Sequence, residues 1–257
     1  MEAAVARIPR CLVASLDQPE LDAATRHHLA KVLRMAPGAP LELIDGRGGL
    51  LVARWTGDSR PAFDDAASFA EAPSEPLWLA VAPPRPSRLD WLVEKAAELG
   101  VDRLLLAHTR HAARSISEGK VLRLQRKANE ALLQCRRLHA LSVVAERPLI
   151  PILDEAAEAG ADLWVADAPA DEATRPPHAQ DASRAPSGGQ RDRAPTEGTL
   201  PPRTAGRPLL AVIGPEGGLS QEERSWLAER GAHAVNLGRG VLRVETAALA
   251  LAARLCR

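Results

Sequence analysis

The chain has 257 residues, with 33 basic and 33 acidic side chains and so a formal net charge of zero. That length supports one large or two modest domains with a real core, no run of about 18 apolar residues is present to form a membrane span, and MEAAVARIPR lacks the apolar stretch of a secretory signal. The three cysteines, Cys11, Cys135 and Cys256, are odd in number and far apart, which points to a reducing cytoplasmic setting and against a metal site or a disulfide framework.

The amino-terminal part reads as a small mixed unit. RCLVA suggests a strand, and DAATRHHLAKVLRM suggests a helix with Asp22 as N-cap, stopped by Pro37-Gly38. LELI and LLVARW flank a DGRGG turn, and Asp45-Gly46 between two apolar runs signals a hairpin. EAPSEP, near residues 70 to 76, marks a boundary, so two domains are expected, 1–74 and 75–257.

Strands and helices then alternate. LWLAVAPP is a strand. SRLDWLVEKAAELG is a helix with Leu89, Leu92, Ala96 and Leu99 on one stripe and Gly100 at its end. VDRLLLAHT is a strand, followed by a long basic helix from about Glu118 to Arg137, a short helix at LDEAAEAG and a strand at ADLWVADA. Residues 169–207 are rich in Pro, Ala, Ser, Gly, Asp and Arg and are expected to be a disordered insertion. PLLAVIG is a strand, and SQEERSWLAER a helix with Ser220 and Glu223 as a capping box. A last strand is expected at AVNLG and a last helix over about 242–255. This order predicts an α/β fold with a mostly parallel sheet covered on both faces. Ligands of such sheets sit at the carboxyl ends of the strands.

Charge is unevenly placed. Residues 102–147 carry ten Lys/Arg against four Asp/Glu, a surplus that suits either a polyanion or an ordinary solvated helix face. The scarcity of Phe and the absence of Tyr disfavour aromatic base-stacking platforms.

Two stretches fall at the expected ligand edge. IGPEGGLSQEE lacks the Gly-Lys-Ser/Thr of a phosphate loop and the spacing of a dinucleotide fingerprint. Its glycines fit either a turn with positive φ or a backbone that touches a ligand. LGRGVLRVETAALA places Arg243 and Glu245 at a helix start, as a surface ion pair or as an active-site pair. His27-His28 and His108/His111 have no metal-ligand spacing, and Ser115 and Ser117 lack a nucleophile elbow.

IGPEGGLSQEE followed by LGRGVLRVETAALA closely resembles the carboxyl-terminal signature of the RsmE-type 16S ribosomal-RNA uridine-N3 methyltransferases of the SPOUT superfamily. HHLAKVLRMAPG with LELIDGRGG is similar to that family's PUA-like RNA-binding domain, and RLDWLVEKAAELGVDRLLLAHTRHAARS with EALLQCRR to its middle region. The resemblance implies a PUA-like β-rich domain before a SPOUT-like sheet tied in a trefoil knot. It implies S-adenosylmethionine as cofactor, held largely by main-chain groups, a homodimer, and no metal. The substrate implied is the uridine at standard position 1498 of 16S rRNA in the small ribosomal subunit. Carried onto this chain, the cofactor site is Ile213, Gly214, Glu216, Gly217, Gly218, Leu237, Gly238, Val241, Leu242 and Thr246. Arg243 and Glu245 are the catalytic candidates, and Arg10, Lys31, Arg34, Arg114 and Arg137 the RNA contacts. The chain departs from the family pattern at Arg239-Gly240, where Pro-Arg is usual, at Val244, where Thr is usual, at Arg136, where Gly is usual, and at LLLAHT, where a proline is common.

The chemistry this implies is loss of the N3 proton and stabilisation of the resulting anion during methyl transfer. Arg243 suits the second task, and Glu245 would orient that arginine or help remove the proton. The rival readings are a SPOUT enzyme with another rRNA or tRNA target and a non-catalytic rRNA-binding assembly factor.

Overall fold

The structure, a computed structural model, describes residues 8–112, 116–167, 200–238 and 240–255. It divides into two compact units, Met1–Pro73 with Ala128–Ala140, and Ser74–Lys127 with Leu141–Arg257. The single cut expected near residue 74 therefore misses the carboxyl-terminal part of one helix, which groups with the first unit.

In the first unit, β1 (Arg10–Leu12), β2 (Pro40–Ile44), β3 (Gly49–Arg54) and β4 (Ser68–Phe69) form a sheet in that order. β1 runs parallel to β2, and the other pairs are antiparallel. Asp45 closes the β2–β3 hairpin: its Oδ1 accepts from the Arg47 and Gly49 amides at 2.8 and 2.9 Å. Burial pushes the Asp45 carboxyl up, but the two amides and the Arg47 side chain together outweigh it and hold it below its usual range. Helix α1 (Ala23–His27) starts at Asp22, which accepts from Thr25 N at 2.7 Å as expected. It continues as a π turn over His28–Val32, and Arg34 then adopts φ +52°. The core gathers Cys11, Leu29, Leu41, Leu43, Leu51 and Trp55. Burial pushes the Cys11 thiol up to about 11.

The second unit carries a six-stranded, all-parallel sheet in the order β10-β8-β9-β5-β6-β7. Its strands are β5 (Leu77–Val81), β6 (Arg103–His108), β7 (Ser142–Pro148), β8 (Asp162–Ala166), β9 (Leu209–Ile213) and β10 (His233–Ala234). β9 is buried at every position, which is why it reads as an unbroken apolar run. Its helices are α2 (Pro86–Leu99), α4 (Leu149–Glu158), α5 (Gln221–Glu229) and α6 (Val244–Leu255), and α3 (Glu118–Cys135) passes from the second unit into the first. Pro86 opens α2, where its missing N–H costs nothing, and Gly100 ends it at φ +85°. Leu89, Leu92, Val93 and Ala96 are fully buried, each leucine contributing on the order of 2 kcal/mol as an upper estimate. Leu99, expected on the same stripe, is only half-buried.

Two expectations need correction, and one strand was not foreseen. SVVAERP forms β7, an edge strand whose interrupted burial hides it among polar residues. The last strand is two residues at His233–Ala234, because only that stretch meets β8, and AVNLG is otherwise irregular. The expected insertion extends too far: residues 200–207 are built onto the amino-terminal ends of β5 and β8. Arg203 donates to the Glu75 and Pro76 carbonyls at 2.5 and 3.3 Å, and Thr204 bonds both Asp162 oxygens at 2.6 and 3.0 Å. Polar contacts rather than apolar burial order this segment, so composition could not flag it. The rest of the insertion, 169–199, lies outside the described residues.

Candidate active site

Neighbouring strands β8, β9, β5 and β6 all end at one edge of the sheet, and the glycine turn leaves from there. Ile213 closes β9 at 2% exposure. Pro215 to Gly218 then forms a tight turn, with Gly218 N donating to Pro215 O at 2.8 Å and Gly218 at φ +71°. Glu216 and Gly217 are exposed at its tip, while Gly214 and Gly218 are buried.

The turn is held from both sides. Asp167, directly after β8, accepts from Leu219 N at 3.0 Å and from Arg224 Nε at 2.7 Å. After β6, His111 Nδ1 lies 3.0 Å from Gly218 O and Arg110 N donates to Glu223 Oε1 at 2.8 Å. Glu223 also completes the expected capping box: its Oε2 accepts from Ser220 N at 2.7 Å, and Ser220 Oγ accepts from Glu223 N at 3.3 Å. One buried carboxylate thus ties the start of α5 to the loop after β6.

These contacts change the account of the glycines. A Cβ on Gly214 would lie 2.5 Å from Asp167 Oδ1, and one on Gly217 would lie 3.3 Å from His111 Cβ. At Gly214 the space is taken by Asp167, and at Gly217 an added Cβ would be a tight contact that His111 could relieve by a few tenths of an ångström. Gly218 is required by its left-handed backbone. Gly240, by contrast, would meet nothing with an added Cβ.

The second motif lies before and at the start of α6. Arg243 O accepts from Ala247 N, which makes Arg243 the residue that opens the helix. Leu237 is half-buried, and Gly238, Val241, Leu242, Arg243 and Thr246 are exposed. Arg239 is outside the described residues. Arg243 and Glu245 do not pair. Glu245 is 5% exposed and its Oε1 lies 3.4 Å from Arg88 Nε of α2, while Arg243 makes no ion pair among the described residues. Glu245 is buried in the first turn of α6 and faces α2, whereas Arg243 lies exposed before the helix.

Two polar atoms in this region are buried without a hydrogen-bond partner among the described residues, Thr109 Oγ1, just after β6, and Glu245 Oε2. Thr109 can donate or accept and Glu245 Oε2 accepts, so each has hydrogen-bonding capacity left for a ligand. Among the described residues no group of three or more His, Cys, Asp or Glu is arranged to hold a metal ion.

The expected RNA contacts scatter. Lys31 and Arg34 are exposed on and after the π turn. Arg10 is not an open contact: its side chain is 7% exposed and bound to Glu42 at 2.7 Å. Arg137 is half-buried, and its carbonyl accepts from Arg10. Arg114 is outside the described residues. The basic surplus of 102–147 is largely compensated, since Arg103 and Arg147 pair with Glu155, Arg123 with Asp90, Lys127 with Glu94 and Arg136 with Glu42.

Sequence reasoning missed Asp167, His111, Arg88 and Arg224. For Asp167 a signal existed, an acid directly after a buried strand at the ligand edge. His111 was discounted for lack of metal spacing, although its role is to bond a carbonyl.

Comparison with known proteins agrees with this geometry. A curated relative, ribosomal RNA small subunit methyltransferase E of Synechocystis, is 26% identical over 235 residues, covering 88% of this chain and 69% of its own. The crystal structure of a probable rRNA-methyltransferase from Porphyromonas gingivalis superposes with a TM-score of 0.76 at 26% identity, over 96% of this chain and 97% of the other. A Legionella pneumophila methyltransferase, solved with SAM bound, gives 0.71 at 25% identity over 97% of both chains. The model of the RNA methyltransferase PUA domain matches residues 21–59. The model of the RNA methyltransferase domain matches residues 70–256, and the chain belongs to that family.

Proposed function

We propose that this chain is an S-adenosylmethionine-dependent methyltransferase acting on N3 of a uridine, standard position 1498, in 16S rRNA of the small ribosomal subunit. The observation that carries the reading is the braced glycine turn after β9, in one chain with an arginine that opens α6 and makes no ion pair among the described residues. The Synechocystis relative supports a small-subunit rRNA substrate, and the Legionella relative supports the cofactor.

The cofactor, when bound, supplies an electrophilic methyl group. The glycine turn and the 237–242 segment would hold it through main-chain groups, with Thr109 and Glu245 as buried acceptors. Arg243 is exposed and free of ion pairs among the described residues, so its guanidinium is available to a uridine anion. Glu245 fixes Arg88 rather than Arg243. Lys31 and Arg34 would meet the RNA backbone. The reading includes a knotted second unit and a homodimer. Exposed Trp91 on α2, with Val241 and Leu242 before α6, supports a second copy as partner.

The test is mass spectrometry of 16S rRNA from cells lacking the protein, with methylation of the purified subunit by the purified protein. Loss of N3-methyluridine and its restoration are expected. An unchanged signal at that uridine, with loss of a methyl group elsewhere, would transfer the protein to another RNA target. No methyl lost anywhere would favour the assembly-factor reading.

A further inference from the structure

We infer that Asp167 is the positioning residue of the cofactor turn, and that Gly214 is glycine in order to receive Asp167. The inference rests on the methyltransferase reading for what the turn binds, and on geometry for how the turn is held.

Asp167 follows β8 directly, and β8 pairs with β9 up to Ala166 and Ile213. The carboxylate is thus delivered beside the turn by the strand that flanks it. Its side chain is 14% exposed, and its two oxygens divide the work. Oδ1 accepts from Leu219 N, the amide that ends the turn, and Oδ2 accepts from Arg224 Nε in the first turns of α5. Oδ1 also occupies the place a Gly214 side chain would need, at 2.5 Å, and lies 3.6 Å from the Cβ position of Gly218. One carboxylate therefore contacts both ends of the Gly214–Gly218 segment and the helix behind it. Apart from Pro215 and Glu216, the turn is glycine, and beyond the Gly218 N to Pro215 O bond its shape is set by neighbours.

Removing the acceptor leaves the Leu219 amide and the Arg224 guanidinium without a partner in a part-buried site, and the turn is free to relax. Cofactor affinity should suffer, while RNA binding should not. The amide of asparagine keeps an acceptor for Leu219 N but loses the charge facing Arg224, so it should rescue most of the loss.

The experiment measures S-adenosylmethionine binding by calorimetry, KM for cofactor and for small subunits, and thermal melts, on wild type, Asp167→Ala, Asp167→Asn and Gly214→Ala. Asp167→Ala is expected to weaken cofactor binding at least tenfold at unchanged KM for RNA, with Asp167→Asn within about threefold of wild type. Gly214→Ala should be as damaging alone, and much less damaging when combined with Asp167→Ala, since the added methyl then has room. A folded Asp167→Ala protein with cofactor affinity within twofold of wild type overturns the inference, as does full additivity of the two substitutions. If Asp167→Ala does not fold, Asp167→Asn and Arg224→Met decide: cofactor affinity unchanged in both overturns it, and a loss in Arg224→Met larger than in Asp167→Asn supports it. Failure of the wild type to bind S-adenosylmethionine removes the methyltransferase reading, a result distinct from any of these.

Discussion

Arg136 provides a test in which the sign of the effect matters more than its size. It follows the last residue of α3 at φ +62°, a left-handed conformation that costs a residue with a Cβ on the order of 1 kcal/mol. The family pattern has glycine here, and this chain has arginine. The compensation is visible. Arg136 Nη2 lies 2.7 Å from both oxygens of Glu42, which also binds Arg10. The side chain is 35% exposed and Glu42 keeps Arg10 when Arg136 is lost, so removing it should cost about 1–2 kcal/mol, between an exposed and a buried pair. Arg136→Ala loses the pair and keeps the strain. Arg136→Gly loses the pair and relieves the strain, and should therefore exceed the alanine variant by about 0.5–1 kcal/mol, or roughly 1–4 °C in melting temperature. Inside a helix the order is the reverse, with glycine about 1 kcal/mol below alanine. Glu42→Ala should be worse than either, by about 3 kcal/mol, since it strands the buried Arg10 guanidinium. Thermal melts and urea midpoints on the four proteins are sufficient. An alanine variant as stable as the glycine variant would refute the strain argument.

The other expectations are briefer. Arg147, and then Arg103, hold the Glu155 carboxyl below its usual range against the effect of burial. The stabilisation is therefore complete above the unfolded value of about 4.3 and lost as pH falls through the lower folded value, so Glu155→Gln should flatten the acid side of a stability profile and leave its slope near neutrality unchanged. Replacing residues 169–199 by a short Gly/Ser linker should barely move the melting temperature, because lengthening a flexible loop costs only about 0.6 kcal/mol per doubling; a shift above about 5 °C would show that the segment packs. Arg243→Ala should keep cofactor affinity and lose on the order of a hundred- to a thousand-fold in single-turnover rate at saturating RNA; a loss below tenfold would remove it from the chemistry.

The strands and helices with strong periodicity were legible, β9 and α2 above all, because burial writes itself into consecutive or stripe-spaced apolar residues. β7 was not, since an edge strand buries too little to leave such a trace. Residues 200–207 were not either, because Arg203 and Thr204 are ordered by hydrogen bonds to carbonyls and a carboxylate distant in sequence. The glycine turn leaves the carboxyl end of β9, where the sequence placed it, yet the groups that brace it, Asp167 and His111, follow other strands, β8 and β6. Pairing between strands is a property of topology, which local spacing does not carry.

Arg243 and Glu245 show where closer reading would have gone further. Glu245 lies in the first turn of α6, while Arg243 precedes the helix, so its direction is not fixed by the helical repeat. Glu245, Ala248, Leu249 and Ala252 follow the i, i+3, i+4, i+7 pattern, and all four are buried. The acid therefore occupies the core stripe of an alanine-rich helix, and a buried carboxylate requires a cation close by. That requirement was present in the sequence. Its answer was not: Arg88 lies on α2, far away in the chain, and reaches Glu245 only because α2 and α6 pack together. Arg243, just before the helix, is exposed and makes no ion pair among the described residues. That separation lets the Arg88–Glu245 pair set the structure and, in the function proposed above, leaves Arg243 to the substrate.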